Sequence, residues 1–276
     1  MNFLTLIIGS LTEASLTSKI MKLIINADDF GYSSNVNRAI EKALKSGLIS
    51  STSILVNMPG FDEAVTMAKN ESFIGRVGIH LNLFEGKPLT KEMQKCSLFC
   101  DENGIFHGKI DENGIYQGKK LGIFAPLKIK SSIIFNELAA QIDKAINAGI
   151  LPTHLDSHGQ IHTNYFIGRI VIKLAKKYNI TSIRINSNVY KRKRKISPIM
   201  VRLYNLRLKM HGIKCVNYLG NIPTIALALN KLSGIVEVIV HPGYRNGILV
   251  DFEWDEEFTH LLAPFLDFEK INYAEL

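Results

Sequence analysis

Two adjacent carboxylates, Asp28-Asp29, close the apolar run Leu23-Ile24-Ile25 within the stretch INADDFGYSSN. A buried strand tolerates paired carboxylates at its end where something there favours negative charge. Three further polar clusters sit in similar places. His80 ends RVGI, HLDSHGQIH spans residues 154–162, and His241 follows VEVIV to open HPGY. Imidazole nitrogens together with carboxylate oxygens make an N/O donor set for a divalent ion. Three protein ligands with open positions for water would make such a site catalytic rather than structural. No Gly-x-Ser-x-Gly elbow occurs, so water rather than serine is the expected nucleophile.

Each cluster alone has a plainer explanation. An Asp-Asp pair serves as a helix N-cap with a turn, His80 as a hydrogen-bonded structural histidine, and HPG as a turn opener. His158 and His162 would fit one helix face without a metal, and His107, His211 and His260 read as ordinary histidines. Four such coincidences at one rim favour the metal site.

The elements that must position these residues alternate. A strand is expected at Lys22–Asn26, a helix at Ser34–Ser46 capped by Gly47, a strand in STSILVN and a short helix at Phe61–Lys69. GRVGIHLNL, PTHLDSH, SIRIN and VEVIV read as strands, with helices at Asn136–Ala148 and Tyr165–Tyr178. Alternation turns Gly78, His80 and Asn82 to one side of their strand and Val77, Ile79, Leu81 and Leu83 to the other; His154, Asp156 and His158 likewise share a face. Repeated strand-then-helix order predicts an α/β fold, a (β/α) barrel-like single domain with mostly parallel strands. The C-terminal ends of parallel strands share one rim, which brings the four clusters together.

Within 276 residues, 46% hydrophobic and 21% charged, one barrel-sized domain over 21–276 is expected. Residues 1–20 lack a basic leader region and precede a second methionine, Met21, so they read as a dispensable extension. The near-duplicate DENGIFHGKI and DENGIYQGKK, 101–120, carries Asn-Gly twice and predicts a hairpin insertion. Cys96, Cys100 and Cys215 form neither a disulfide framework nor a zinc finger, which favours reduced thiols in the cytoplasm. The net charge is +8, and the basic residues are scattered apart from Lys191–Lys195, whose neighbourhood adds Arg202, Arg207 and Lys209. That run reads as a solvated segment, with an anionic partner as the alternative; no nucleic-acid signature and no transmembrane segment accompany it.

NADDFGYSSNVNRAI, STSILVN, GIHLNLFEGKPL, PTHLDSHGQIH and HPGY resemble, in order, the motifs of the YdjC/ChbG family of metal-dependent carbohydrate deacetylases, which includes HpnK-like members. The resemblance runs from about Lys22 past His241. It implies a polysaccharide-deacetylase-like barrel and a divalent ion held by Asp29, His80 and His158, with magnesium as the family's usual metal. Two imidazoles and a carboxylate suit zinc, iron or manganese at least as well. The resemblance further implies Asp28 as general base or as the group that orients the attacking water, and His241 as acid or orienting residue. His162, Asn82 and Tyr244 are candidates for substrate binding. Gln160 stands where relatives often carry a further histidine, which leaves the role of His162 open.

The expected reaction is release of acetate from an N-acetylated sugar or oligosaccharide by a metal-activated water. Alternatives are a phosphoesterase or glycosidase on the same scaffold and a non-catalytic carbohydrate-binding protein. Glycosidase chemistry needs two separated carboxylates, and adjacent Asp28 and Asp29 are expected to point in different directions. A homodimer is the assembly to consider.

Overall fold

The computed structural model describes residues 21–110, 116–117, 130–189 and 198–276. The extension expected at 1–20 and the basic run 191–195 lie outside them. The first half contains β1 (Met21–Phe30), α1 (Ser34–Lys45), β2 (Ser51–Ile54), α2 (Phe61–Asn70), β3 (Val77–Leu81) and α3 (Lys91–Gln94). A short pair, β4 (Lys109–Ile110) and β5 (Tyr116–Gln117), precedes α4 (Ser131–Asn147), β6 (Leu155–Ser157) and α5 (Tyr165–Lys177). Then come α6 (Pro198–Met210), β7 (Tyr218–Asn221), α7 (Ile222–Ala226) and β8 (Gly234–Val240). The chain finishes with β9 (Pro242–Arg245), β10 (Ile248–Asp251), β11 (Glu256–Glu257), α8 (Phe258–Leu262) and β12 (Glu269–Lys270).

The principal sheet is parallel in the order β6-β3-β2-β1-β8-β7, with β12 also paired to β1. It curls into a half-barrel with helices around it. Leu23, Ile24 and Ile25 of the central strand are all fully buried, as expected where a parallel sheet is covered on both faces. Helices attach through local chemistry. Ser33 caps α1, its Oγ accepting from Val36 N, and Asn164 caps α5, its side chain accepting from Phe166 N and Ile167 N. Buried Glu137 on α4 accepts from Leu89 N, Thr90 N and Thr90 Oγ1 and so ties down the chain after β3.

Three features bear on the expectations, two departing from them and the third refining one. First, β1 does not stop at Asn26 but runs through both aspartates to Phe30. Second, SIRIN forms no regular strand; it is extended, with isolated bridges from Ile183 to Leu155 and from Ser182 to Lys214. Leu155 N donates to Ser182 O and Arg184 N to Leu155 O, both at 3.0 Å, while Val189 N donates to Leu219 O at 3.2 Å. Residues 182–189 therefore span from β6 to β7, the two free edges of the half-barrel, without enough register on either edge for a ladder. Third, within 101–120 the antiparallel contact joins Lys109–Ile110 to Tyr116–Gln117, so the first copy of the repeat pairs with the second. Asn113-Gly114 lies outside the described residues. No helix among those described is long and apolar enough to cross a membrane.

Candidate metal centre

The two aspartates reach one place because the strand carrying them is broken in register. Pairing of β1 with β2 shifts between Ala27 and Phe30, and Asp29 has φ 70°, in the left-handed region. In a regular strand Asp28 and Asp29 would face opposite sides. The bulge re-aims the second carboxylate, and both now lie beside His80: Nε2 is 3.4 Å from Asp29 Oδ1 and 3.9 Å from Asp28 Oδ2. The expectation that they diverge is corrected on this point.

His80 reaches the rim from β3 and His158 from the 3-10 turn that begins as β6 ends. His158 Nδ1 lies 2.8 Å from the same Asp29 Oδ1. One donor atom from each of Asp29, His80 and His158 falls within 4.8 Å of the others. The far nitrogen of each ring faces another carboxylate. His80 Nδ1 is 2.8 Å from Asp156 Oδ1, and His158 Nε2 is 3.4 Å from Glu85 Oε2. Such outer carboxylates orient metal-binding imidazoles and raise their basicity. Tyr32 OH donates to Glu85 Oε1, and Ser53 Oγ donates to Asp156 Oδ2. The donor set and its surroundings therefore fit a divalent cation.

Electrostatics agree with a site built for positive charge. Burial opposes protonation of His80, yet Asp156 and Asp28 outweigh it and push its pKa up to about 10. Burial likewise opposes charge on His158, but Asp29 and Glu85 raise it to about 9. Asp29 is itself held well below the usual carboxylate range; burial works the other way and is overcome by His158 and His80.

Behind the rim lies a group that the sequence reading missed. Arg184 is fully buried. Its Nη1 and Nη2 donate to Asp28 Oδ2 and Oδ1 at 2.8 and 2.7 Å, a bidentate fork. Nη1 also lies 2.8 Å from Asp156 Oδ2, and Nε donates to Glu237 Oε1 at 2.8 Å. Tyr273 OH donates to the other Glu237 oxygen. Burial raises the Glu237 pKa to about 7 against the pull of Arg184. The available clues were an arginine between two isoleucines in SIRIN and a glutamate inside VEVIV, polar residues in otherwise apolar runs. Asp156, expected on one face with His154 and His158, and Glu85, in GIHLNLFEGKPL, face His80 and His158 in roles that their motifs do not signal.

The remaining expected residues separate. His241 is partly exposed; its N–H donates to Asp251 Oδ2 and its Nδ1 is 3.6 Å from Glu253 Oε2. Burial opposes its protonation, but Asp28, Asp251, Asp29 and Glu253 raise its pKa, so it lies within reach of the aspartates' field. Tyr244 is half-buried, and its backbone is clamped by the Asn35 side chain at 2.7 and 2.9 Å. Asn82 is fully buried, accepts from Phe84 N and Glu85 N and donates to Glu85 O, so it shapes the turn that presents Glu85. His162 is fully buried between Ser157 Oγ and Arg184 O. His154 does lie on the side of Asp156, its Nε2 3.9 Å from Asp156 Oδ2, but its ring stacks on Tyr273 at 3.7 Å, and it is not among the donor atoms that converge with Asp29 and His158.

Residues 22–267 match the family of YdjC-like proteins. A carbohydrate deacetylase of Clostridium beijerinckii is 31% identical over 230 residues, 81% of this chain and 82% of that one. One from Vibrio cholerae is 30% identical over 231 residues, 83% and 81% of the two chains. One from Brevibacillus brevis is 39% identical over 160 residues, only 58% of each chain. A crystal structure of a candidate cellobiose-phosphate cleavage protein from Enterococcus faecalis superposes with TM-score 0.67 at 24% identity, covering 93% of this chain and 98% of that one; it speaks for the fold. With the family match spanning nearly all of the described sheet, from β1 to the turn before β12, the chain belongs to the YdjC-like family.

Proposed function

We propose that this protein is a metal-dependent carbohydrate deacetylase, a hydrolase that removes acetate from an N-acetylated amino sugar or oligosaccharide. The observation that carries this reading is the convergence of Asp29, His80 and His158 within 4.8 Å. The relatives named carbohydrate deacetylase support the substrate class. Asp29, His80 and His158 would hold one divalent cation, which when bound lowers the pKa of a water and polarises an acyl oxygen. Magnesium follows from the family resemblance, while the nitrogen-rich donor set favours zinc or another transition metal.

In this reading Asp28 accepts the proton of the attacking water. The Arg184 fork and Asn26 Nδ2, which donates to Asp28 Oδ1 at 3.0 Å, fix the carboxylate's orientation. Oδ2, 3.9 Å from His80 Nε2, is the working oxygen in this reading. His241, whose proton is favoured by the surrounding aspartates, donates to the departing amine. In the same reading His241, which follows β8, and Tyr244 of β9 contact the sugar, while Asn82 and His162 act through Glu85 and Arg184, which they position. Free Cys96, Cys100 and Cys215 support a reducing, cytoplasmic setting.

Acetate release from a panel of N-acetylated sugars, with chelator-treated protein as control, tests the proposal. Asp28→Asn is expected to lower turnover by about 10²–10⁴ while elemental analysis still finds the bound metal. No acetate from any sugar with several metals restored overturns it. Unchanged affinity for a sugar with no turnover in either protein would favour a carbohydrate-binding role.

A further inference from the structure

The outward face of α6 is unlike the rest of the surface. Its buried residues, Val201, Tyr204 and Leu208, fall on one side at helical spacing. The opposite side is apolar as well. Ile199, Leu203, Leu206 and Met210 recur at helical intervals and are 67, 60, 53 and 77% exposed. One stripe is enough to hold a helix to its core; a second, facing outward, marks a surface that something else covers.

Charge identifies the cover. On the helical wheel Arg202 and Lys209 border the exposed stripe on one side and Arg207 on the other. The neighbouring α5 turns Arg169, Lys173 and Lys176 to solvent. The two helices are joined where Arg207 lies 5.0 Å over the Tyr165 ring and where Lys176 Nζ approaches His211 Nδ1 at 3.4 Å. Between Asp156 and Glu237 the sequence contains fifteen lysines and arginines and no aspartate or glutamate, whereas acidic residues outnumber basic ones in the remainder. Such asymmetry points to an anionic partner. A nucleic acid would use the cations but leave Leu203 and Leu206 uncovered. A second copy of the same face would set cations against cations. A bilayer bearing anionic headgroups accommodates both features, because its interface takes up an apolar helix face while the headgroups pair with flanking Lys and Arg.

We propose that α6, with the basic row of α5 beside it, docks this protein on an anionic phospholipid surface, the stripe from Ile199 to Met210 lying in the interface. The other side of α6 reaches the metal-centre scaffold: Tyr204 meets His162 edge-on at 6.2 Å, and Asn205 Nδ2 donates to Asn186 O at 3.0 Å. Docking would therefore fix the catalytic rim relative to the membrane without a spanning helix among the described residues.

Flotation of the full chain with vesicles tests this, comparing pure phosphatidylcholine with phosphatidylcholine partly replaced by phosphatidylglycerol. Three flanking cations predict a preference for the anionic vesicles on the order of a hundredfold, abolished at high salt. Leu203→Glu with Leu206→Glu removes binding while leaving the melting temperature and acetate release unchanged, as exposed positions allow. Arg202→Gln with Lys209→Gln weakens binding to anionic vesicles while the fold is retained. Equal binding to both vesicle types, no binding to either, or binding indifferent to both variants overturns the proposal. So does a dimer in light scattering that the leucine variant dissolves, or salt-sensitive DNA binding in place of vesicle binding.

Discussion

Arg184 is the side chain on which the polar interior depends most. One guanidinium serves Asp28, Asp156 and Glu237, all deeply buried. Its removal leaves those carboxylates uncompensated, so Arg184→Met is expected to cost about 3–5 kcal/mol in urea unfolding. Arg184→Lys should recover only part of that, because an ammonium cannot reproduce the fork to Asp28. His154 and His162 carry the opposite liability. Burial above all, with Arg184 and His80 adding, pushes both pKa values down to about 3 from an ordinary 6.5. The fold keeps these rings neutral, while the unfolded chain protonates them below about pH 6.5. Their contribution is present above that pH and is lost as the pH falls toward 3, at about 1.4 kcal/mol per pH unit for each ring. Chemical denaturation of the wild type and His162→Asn across about pH 7 to about pH 5 should show a shallower acid slope in the variant; equal slopes would refute the assignment. The convergent trio Asp29, His80 and His158 was legible because histidine and paired aspartate are conspicuous at strand ends. Arg184 was not, because a basic residue in a strand pattern ordinarily points to water and only tertiary contacts show this one enclosed.

At the scale of elements, pairing decides what local sequence cannot. Lys22–Asn26 is apolar enough to be read as a strand, but the extension to Phe30 follows from registration with β2 and β8 on either side. The same extension contains the irregularity that turns Asp29 inward, a backbone event with no side-chain signature except Gly31 downstream. The helices at Ser34 and Tyr165 were read to within a residue of their ends because the caps Ser33 and Asn164 are encoded locally. By contrast, α4 begins at Ser131, ahead of the expected Asn136 and without a side-chain cap from Lys130, and α6 was not read. The alternation that set Gly78 and His80 on one side of β3 has a second consequence at Gly78. An added Cβ there would stand 2.2 Å from His154 Cε1, inside the ring that stacks on Tyr273. Gly78→Ala must displace the His154 ring and is expected to destabilise by about 1–3 kcal/mol or more, read by the melting temperature. An unchanged melting point would mean that β3 and β6 are less tightly registered than the structure has them. Ser53, by contrast, stabilises the neighbouring site through hydroxyl contacts to Asp156 and His80.

At the scale of the whole molecule, the alternating elements and the shared rim followed from the sequence, whereas the way the half-barrel meets its own edges did not. SIRIN has the composition of a strand, yet residues 182–189 touch β6 at one end and β7 at the other, a geometry set by curl rather than propensity. That connection makes a seam, and the seam carries Arg184. Widening it by even a small breathing motion pulls the guanidinium off Asp28 and Asp156 together. The clasp that holds the wall shut is thus also the counterweight of the proposed reaction centre. On warming, catalysis should fail before the sheet does, with amide exchange at Arg184 accelerating in step with the lost turnover. Simultaneous loss of activity and far-ultraviolet dichroism would speak against such a latch.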